Sequence, residues 1–262
     1  MPEPKDDLAL LTEAAQQAGE IAKQFFGKDP AVFDKGAEGP VTEADLAIDK
    51  MLHEVLLDAR PDYGWLSEET EDSAARLENE HVFICDPIDG TRAFIEGGKS
   101  FSHSLSVVRN GVVTAAAVFL PMRDKMYGAS LGGGATLNTS TLHVTQTETL
   151  AEATALTTKG NMQAHHWDGD VPVIGKAYRP SLAYRMSLVG EGRFDAMMTF
   201  RPTWEWDIAA GALIISEAGG VVTDGFGRPL QFNGASAQVD GVLTGNAKVH
   251  AQLLERRAAP PH

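Results

Sequence analysis

The sequence predicts a mixed fold, α+β in its first half and α/β in its second. Near the start, apolar residues recur every three or four positions, as on one face of a helix. Further along, uninterrupted apolar runs are typical of buried strands, and the second half mixes both patterns without strict alternation. A chain of 262 residues can bury a substantial core in one large domain or two closely packed halves.

Two helices are predicted in the first quarter of the chain. The first begins near Asp6 and Asp7, which can cap it, and it stops at Gly27. The second covers about residues 43–60, because Pro61 cannot continue a helix. The polar segment between them has the composition of a loop.

Strands follow in the middle of the chain. The predicted strands are 81–85, 102–108 and 112–120. Asn110 and Gly111 join the last two strands, and this pair favours a tight hairpin because both residues tolerate positive φ. The last two strands should therefore pair as a hairpin.

The second half is predicted to contain helices 182–190 and 207–217 on either side of a strand at 194–200. Gly219 and Gly220 end the second helix before another strand. No linker marks a boundary, but the change of pattern near residues 140–150 divides the chain into 1–145 and 146–262. The tail from Arg256 to His262 is expected to be frayed.

Charge and composition limit the classes of function and partner that fit this chain. Twenty-two basic residues against 36 acidic ones give a net charge of −14, which disfavours a nucleic-acid polymer as partner. A small phosphorylated substrate is compatible if bound cations reverse the local field, although solubility alone could also explain the charge. We expect no signal peptide, no membrane span and, with Cys85 as the single cysteine, no intrachain disulfide. A cytoplasmic enzyme is the simplest interpretation.

One hexapeptide carries the strongest chemical signal: Asp86-Pro-Ile-Asp-Gly-Thr91. Pro87 stiffens a corner at the end of the buried strand, and the corner presents two carboxylates three residues apart. Gly90 permits close backbone approach, and a helix over 91–95 would offer free N–H groups to a phosphate. Oxygen donors of this kind select Mg²⁺ or Mn²⁺.

Two other interpretations of the hexapeptide were considered. A calcium-binding EF-hand loop is excluded, because Ile88, Gly90 and Gly97 occupy positions three, five and twelve counted from Asp86. A simple capped turn stays open on the hexapeptide alone.

The hexapeptide closely resembles the signature of the inositol monophosphatase superfamily, which includes inositol phosphatases and 3′(2′),5′-bisphosphate nucleotidases. Three further motifs match in family order: Pro40-Val-Thr-Glu-Ala-Asp45, Leu66-Ser-Glu-Glu69 and Trp206-Asp-Ile-Ala-Ala-Gly211. The resemblance covers roughly residues 8–250. It implies a layered αβαβα sandwich and a magnesium-dependent phosphomonoesterase, with most metal ligands in the first half and Asp207 in the second.

The resemblance also implies the metal ligands. Glu68, Asp86 and the Ile88 carbonyl would hold one Mg²⁺, and Asp86, Asp89 and Asp207 would hold a second, with Asp86 bridging. Glu68 would also assist a weaker third ion associated with the attacking water. Two to three ions are therefore expected in the site, with Mn²⁺ as a substitute.

The remaining roles come from the same motifs. Asp45 and Thr91 would orient and deprotonate the attacking water, and the N–H groups of Gly90 and Thr91 would meet the phosphate. Asp207 is expected both to contact the substrate and to cap its helix. Glu69 could support the site or be a surface acid, and the alternatives stay open.

Substrate preference depends on other positions. Three features resemble the bacterial bisphosphate nucleotidase branch: Ser67, the continuation Thr91-Arg-Ala-Phe-Ile95 and the segment Phe200-Arg-Pro-Thr-Trp-Glu-Trp-Asp207. Inositol phosphatases usually carry a glutamate at the position of Phe200. Arg185 is a candidate contact for the second phosphate, or else a surface arginine on a helix; Arg179 and Lys176 are weaker candidates.

The favoured activity is therefore hydrolysis of 3′-phosphoadenosine 5′-phosphate to AMP and phosphate. The alternative is an inositol-1-monophosphatase or another sugar or polyol phosphatase. A non-catalytic interaction protein is disfavoured, because the motifs retain every family ligand. Lithium inhibition and a homodimer follow from the resemblance alone. Two tempting signals are declined, since Gly132–Gly134 lacks the rest of a phosphate loop and His165-His166 lies in a polar segment.

Overall fold

A computed structural model describes residues 2–36 and 39–259. The helices are α1 (Pro4–Phe25), α2 (Glu43–Ala59), α3 (Thr91–Ile95), α4 (Leu182–Gly190), α5 (Glu205–Glu217) and α6 (Ala247–Glu255). The strands of the first half are β1 (Val32–Asp34), β2 (Pro40–Thr42), β3 (Gly64–Ser67), β4 (His81–Asp89), β5 (Ser102–Arg109), β6 (Val112–Leu120), β7 (Lys125–Ser130), β8 (Gly134–Leu137) and β9 (Ser140–Thr141). Those of the second half are β10 (Thr154–Leu156), β11 (Gly175–Ala177), β12 (Ala196–Thr199), β13 (Thr203–Trp204), β14 (Val221–Thr223), β15 (Gln238–Val239) and β16 (Val242–Gly245).

A seven-stranded sheet forms the centre of the molecule. Its strands follow the chain order from β3 to β9, with β3 parallel to β4 and each later pair antiparallel. Helices α1 and α2 pack on one face of the sheet, and α4 and α5 pack on the other. Both faces are covered, which explains why the strand sequences are apolar without alternation.

A second sheet lies beyond α4 and α5. Its five strands have the order β11-β10-β12-β16-β14, and α6 packs against β16 on its outer side. The layers therefore alternate as helix, sheet, helix, sheet and helix, which confirms the predicted sandwich. The division of the chain at residue 145 stays a prediction.

The first helix begins earlier than its pattern indicates. Glu3 is the N-cap, and its side chain and that of Asp6 form a reciprocal capping box, with Pro4 at the first helical position. Asp7 is not a cap. It is buried and accepts a 3.0 Å hydrogen bond from Nε of Arg60, which ties α1 to the end of α2.

The predicted cap of the helix at Asp207 is wrong. Helix α5 begins at Glu205 and has Trp204 as its N-cap, so Asp207 lies inside the first turn. The carboxylate of Glu205 accepts N–H groups of Asn233 and Gly234 at 2.6 and 2.8 Å, and this buried anchor sets the earlier start. The carboxylate of Asp207 therefore does not serve as the helix cap.

The prediction of a frayed tail is also wrong for residues 256–259, the part of the tail that the structure describes. Arg257 bridges to Trp167, and the N–H of Ala258 donates to the carbonyl of His166 at 3.0 Å. Residues 260–262, like 37 and 38 of the polar loop, lie outside the described residues. None of the described helices is both long and apolar enough to cross a membrane.

Candidate active site

Parallel pairing of β3 and β4 brings two acidic motifs together. Ser67 at the end of β3 pairs with Cys85 of β4, and the N–H of Glu68 donates to the Cys85 carbonyl at 3.3 Å. Glu68, directly after β3, and Asp86, within β4, therefore lie beside each other at the same end of this strand pair. Cys85 itself is fully buried, as expected for a core thiol, and burial raises its pKa well above the ordinary value.

Helix α5 adds a carboxylate from the second half of the chain. One carboxylate oxygen each from Asp86, Asp89 and Asp207 lies within 4.8 Å of the others. More than a hundred residues of sequence separate Asp207 from the first two, so only the folded chain joins them. This acidic cluster could hold a metal ion.

Asp86 is the least satisfied member of the cluster. Both of its carboxylate oxygens are buried and accept no hydrogen bond from any described residue. Burial first, and then the charges of Glu68, Asp89 and Asp207, raise its pKa well above the ordinary value. Buried polar atoms normally have partners, so two orphaned oxygens indicate a missing one. A hard divalent cation fits these oxygen donors and would neutralise the crowded charges.

Asp89 is held from the opposite side. Its Oδ2 accepts hydrogen bonds from Oγ of Ser181 at 2.7 Å and from the N–H of Ala183 at 2.6 Å, at the start of α4. Burial raises the pKa of Asp89, and these two hydrogen bonds partly oppose that rise. One oxygen is thus committed to α4, and the carboxylate is fixed in orientation.

Glu68 lies at the rim of the cluster. It lines the same cavity but is outside the tight group of three, and its Oε1 is 3.5 Å from Nζ of Lys35. Burial raises the pKa of Glu68, and the nearby lysine opposes that rise. Glu69, left open by the sequence, is bound by Lys35 at 2.9 Å, yet burial still raises its pKa to about 7.

Asp45 and Thr91 meet as the motifs predict. Oδ2 of Asp45 accepts the N–H of Thr42 at 2.8 Å and its hydroxyl at 2.5 Å, which fixes the carboxylate in the first turn of α2. Oγ1 of Thr91 lies 3.2 Å from Oδ1 of Asp45 and 3.0 Å from the Ile88 carbonyl. Burial raises the pKa of Asp45, which makes its carboxylate a better proton acceptor.

Gly90 makes the turn that joins Asp89 to α3. Its φ of 103° is in the left-handed region, which strains any residue with a Cβ. Space is not the reason for glycine, because an added Cβ would meet Phe101 and Ser181 only at ordinary contact distances of 3.5 and 3.6 Å. The backbone conformation therefore requires glycine here and aims the start of α3 into the cavity.

Arg185 adds a positive charge to the lining of the same cavity. Of the two alternatives left open for this residue, the surface arginine is wrong, because Arg185 is only 7% exposed and lines the cavity. Its guanidinium donates to the carbonyls of Arg179 and, at 3.2 Å, Pro180, and it lies 4.4 Å from the ring centre of Tyr178. Burial lowers its pKa, and the nearby carboxylates of Asp89 and Asp207 oppose that change.

A cavity of about 1100 Å³ unites these features. We call two parts of its lining the acidic wall (Glu68, Asp86, Asp89, Asp207) and the cationic aromatic wall (Tyr178, Arg185, Arg201, Trp204). Trp204 of the cationic aromatic wall stacks on Trp206, which also lines the cavity, with ring centres 4.6 Å apart and an interplanar angle of 10°. One cavity therefore offers both a site for cations and a site for an anion with a flat ring.

Comparison with known proteins assigns the chain. The model of the Inositol monophosphatase family matches residues 4–259. The chain belongs to the inositol monophosphatase family. Members of this family are metal-dependent phosphatases, which agrees with the acidic cluster and makes the chain a phosphoric monoester hydrolase.

Relatives and solved structures of this family resemble the chain over almost its whole length. An "Inositol-1-monophosphatase" of Rhizobium meliloti is 36% identical, with coverage of 95% of this chain and 94% of the relative. The Thermotoga maritima IMPase structure has a TM-score of 0.83 at 28% identity, covering 95% and 96% of the two chains. The extragenic suppressor protein suhB of Bartonella henselae has the same TM-score at 27% identity, covering 95% and 97%.

Sequence reasoning missed several residues of this family site. Lys35 and Tyr178 line the cavity but lie in loops outside the recognised motifs, and Arg201 lines it from the segment 200–207, in which no role was assigned to it. The lysine in the polar segment before Pro40 was the available signal for Lys35, and the segment 200–207 was the signal for Arg201. No sequence signal marked Tyr178.

The declined signals remain declined. The N–H groups of Gly132 and Gly134 each donate to the carboxylate of Glu217 at 2.8 Å, so this turn is already satisfied by an anion of the chain. His165 is exposed, and its ring packs beside His166.

Proposed function

We propose that this phosphatase uses Mg²⁺ and hydrolyses 3′(2′),5′-bisphosphate nucleotides, with 3′-phosphoadenosine 5′-phosphate yielding AMP and phosphate. The observation that carries the proposal is the pairing of the acidic wall with a buried arginine and stacked indoles in one cavity. A second phosphate needs a fixed cation, and a purine needs a flat apolar surface.

The oxygen donors of Glu68, Asp86, Asp89, Asp207 and the Ile88 carbonyl would hold the cations. Bound Mg²⁺ ions at such a site lower the pKa of water and neutralise the charge that develops during displacement at phosphorus. The N–H groups of Gly90 and Thr91 would meet the phosphate oxygens at the turn before α3.

Asp45 and Thr91 would handle the proton of the attacking water. The Thr91 hydroxyl has one hydrogen and two acceptors, Asp45 and the Ile88 carbonyl, so donation to Asp45 leaves its oxygen free to accept from water. As water attacks phosphorus and the ester P–O bond breaks, a proton passes through the hydroxyl to Asp45. The leaving alkoxide takes a proton from solvent.

The positions that would favour inositol lack a free carboxylate. Phe200 packs beneath the guanidinium of Arg257, 3.9 Å from its ring centre, and does not line the cavity. Glu205 is nearby in sequence, but it is buried and bound to the N–H groups of Asn233 and Gly234. Ring hydroxyls of a polyol would therefore lack that acceptor.

An inositol-1-monophosphatase is the second candidate. The observation that favours it is the 36% identity to a relative with that name. A polyol monophosphate would use the acidic wall in the same way and would offer Arg185 no second phosphate.

Phosphate release decides between the two candidates. We expect kcat/KM for 3′-phosphoadenosine 5′-phosphate to exceed that for inositol 1-phosphate by about tenfold or more at equal Mg²⁺, the value of one charge-assisted hydrogen bond. AMP serves as a control, because it has the purine but only one phosphate. A higher kcat/KM for inositol 1-phosphate would reject the nucleotidase proposal and leave the phosphatase assignment intact.

Three finer expectations belong to the same proposal. We place the enzyme in the cytoplasm as a homodimer, and we expect Li⁺ to inhibit it by competing with a cation of the acidic wall. Light scattering on the purified protein measures its mass, and Li⁺ titration of the phosphate-release assay measures inhibition. Insensitivity to Li⁺ would contradict the inhibition expectation alone.

A further inference from the structure

The strand beside the acidic corner has a break in its pairing. Asp86 of β4 pairs with Ser104 of β5, and Asp89 pairs with Ser102, with a register shift between the two pairs. His103 therefore stands alone opposite Pro87 and Ile88. Such a bulge disrupts the ladder of backbone hydrogen bonds, and proline removes one donor besides.

The side chain of His103 replaces a lost backbone bond. Its Nδ1 is 2.5 Å from the carbonyl oxygen of Pro87, between Asp86 and Ile88. A carbonyl only accepts, so Nδ1 carries the hydrogen. Burial lowers the pKa of His103 to about 4, which keeps the ring neutral near pH 7.

The second ring nitrogen of His103, Nε2, makes no hydrogen bond to a described residue and so does not explain the choice of histidine. Nε2 of His103 is buried and has no hydrogen-bond partner among the described residues, and the residue is 0% exposed. A buried polar atom without a partner is costly. A phenylalanine would fill the same space without that cost, so the hydrogen bond to Pro87 is the chemical gain from histidine.

The two neighbours of His103 face the opposite side of the sheet. Ser102 and Ser104 are 0% and 1% exposed. Oγ of Ser104 donates to the carbonyl of Trp206 at 2.9 Å, directly before Asp207. The serine therefore ties the start of α5 to the strand that pairs with Asp86.

Ser102 acts through Ser181. The single hydroxyl hydrogen of Ser181 goes to Asp89 at 2.7 Å, so the 2.9 Å contact between Ser102 and Ser181 has Ser102 as its donor. Three consecutive residues of β5 thus each support a different part of the acidic cluster.

We propose that Ser102-His103-Ser104 is a positioning segment for the metal site, in which His103 holds the corner between Asp86 and Ile88. The inference rests on the proposed cation site but on no particular substrate. Partners behind metal ligands typically change metal affinity by about 10–100-fold when they are removed, because they fix the orientation of the ligands. The three residues are positioning residues and touch no reacting atom.

Calorimetric titration with MgCl₂ in the absence of substrate tests the proposal. We expect His103→Phe, which keeps the ring and loses the donor, to raise the Kd about 10–100-fold. His103→Asn can place its amide nitrogen near the position of Nδ1, and we expect it to restore affinity to within about threefold of the native Kd. Ser104→Ala should raise the Kd about threefold to tenfold, the equivalent of one neutral hydrogen bond.

Ser106→Ala is the matched control. Its hydroxyl is equally buried on the same face of β5 and donates to the Ile84 carbonyl at 3.1 Å, away from the acidic corner. We expect it to lower the melting temperature as much as Ser104→Ala and to leave the Kd unchanged. Equal Kd values for native protein, His103→Phe and Ser104→Ala would overturn the inference.

The outcomes separate two failures. If the native protein bound no Mg²⁺, the proposed cation site itself would be rejected. If the native protein bound Mg²⁺ and Ser106→Ala weakened binding as much as Ser104→Ala, the segment would have only a structural role. Should His103→Phe not fold, Ser104→Ala still decides, because equal and native Kd values for Ser104→Ala and Ser106→Ala would reject the positioning role.

Discussion

The two walls of the cavity are built in different ways. In the acidic wall, buried hydrogen bonds from Ser181 and Ala183 fix Asp89 from behind, and Asp86 lies within the central strand β4. In the cationic aromatic wall, the contacts of the Arg185 guanidinium with described residues are two loop carbonyls and the ring of Tyr178, which is 54% exposed. The first wall lies at the end of a central strand, and the second lies where loops meet α4 and α5.

This difference separates chemistry from selectivity. Catalysis needs ligands held rigidly within a small tolerance, and a central sheet provides such support. Selectivity can vary with loops, because loops tolerate substitution without loss of the core. We therefore expect damage to the acidic wall to abolish turnover of every substrate, and damage to the other wall to change only the preference among substrates.

The largest effect should follow from Asp86→Asn. The change removes a negative charge from the centre of the acidic wall, and we expect kcat to fall about 10³-fold or more for every substrate, as for loss of several kcal/mol of cation stabilisation. Phosphate release with 3′-phosphoadenosine 5′-phosphate and with inositol 1-phosphate measures it. Retention of most activity with unchanged Mg²⁺ dependence would contradict the assignment of this wall.

Arg185→Gln should affect one substrate class only. We expect KM for 3′-phosphoadenosine 5′-phosphate to rise about 10–100-fold, since a hydrogen bond to a charged group contributes about 1.5–3 kcal/mol. KM for a monophosphate should change by less than about threefold. Lys176→Gln, an exposed cation on β11 outside the cavity lining, is the control. Equal changes for both substrates would remove Arg185 from recognition of the second phosphate.

Trp204→Ala should have a smaller effect of the same kind. Stacking of a base on an aromatic ring contributes about 1–3 kcal/mol, so we expect about a tenfold loss in kcat/KM for the nucleotide. Trp204→Phe should recover most of it, because a flat ring is restored. If inositol 1-phosphate lost as much as the nucleotide, the indole would have only a packing role at the start of α5.

The smallest effect concerns stability without divalent cations. Burial raises the pKa of Asp86 and raises that of Glu69 to about 7, whereas carboxyls of an unfolded chain titrate near pH 4. The native state thus binds more protons, so stability is highest below the unfolded pKa and falls as pH rises toward the folded values.

Thermal unfolding in a chelator measures this effect. We expect a melting temperature lower by about 2–8 °C at pH 8 than at pH 6, the equivalent of one or two kcal/mol. Saturating Mg²⁺ should remove most of the difference, and Asp86→Asn should reduce it in the chelator. A melting temperature that rises with pH in the chelator would show that the crowded carboxylates do not govern stability.

The acidic wall was predictable because its residues lie in short motifs. Asp86 and Asp89 are three residues apart, and rigid neighbours mark the corner. The rest of the site depends on contacts that no local pattern contains. The sequence left Arg185 open between a substrate contact and a surface arginine, and the loop carbonyl contacts that decide for a buried guanidinium are tertiary.

The fold was predictable for a similar reason. Apolar runs and helical spacing located the central helices and strands, since burial on both faces leaves a strong signal. The ends of elements were less certain, because tertiary anchors decide them. Glu205 sets the start of α5 through Asn233 and Gly234, residues that no pattern connects to it. The pairing shift at His103 was equally invisible, since a register is a property of two strands together.

The central claim is that carboxylates from both halves of the chain hold divalent cations at one place. Crystals soaked in MnCl₂ test it most directly, because Mn²⁺ substitutes for Mg²⁺ and gives an anomalous signal. We expect strong anomalous peaks within coordination distance of Asp86, Asp89 and Asp207, and their loss in Asp207→Asn. Peaks elsewhere only, or no peak at a concentration that supports full activity, would contradict it.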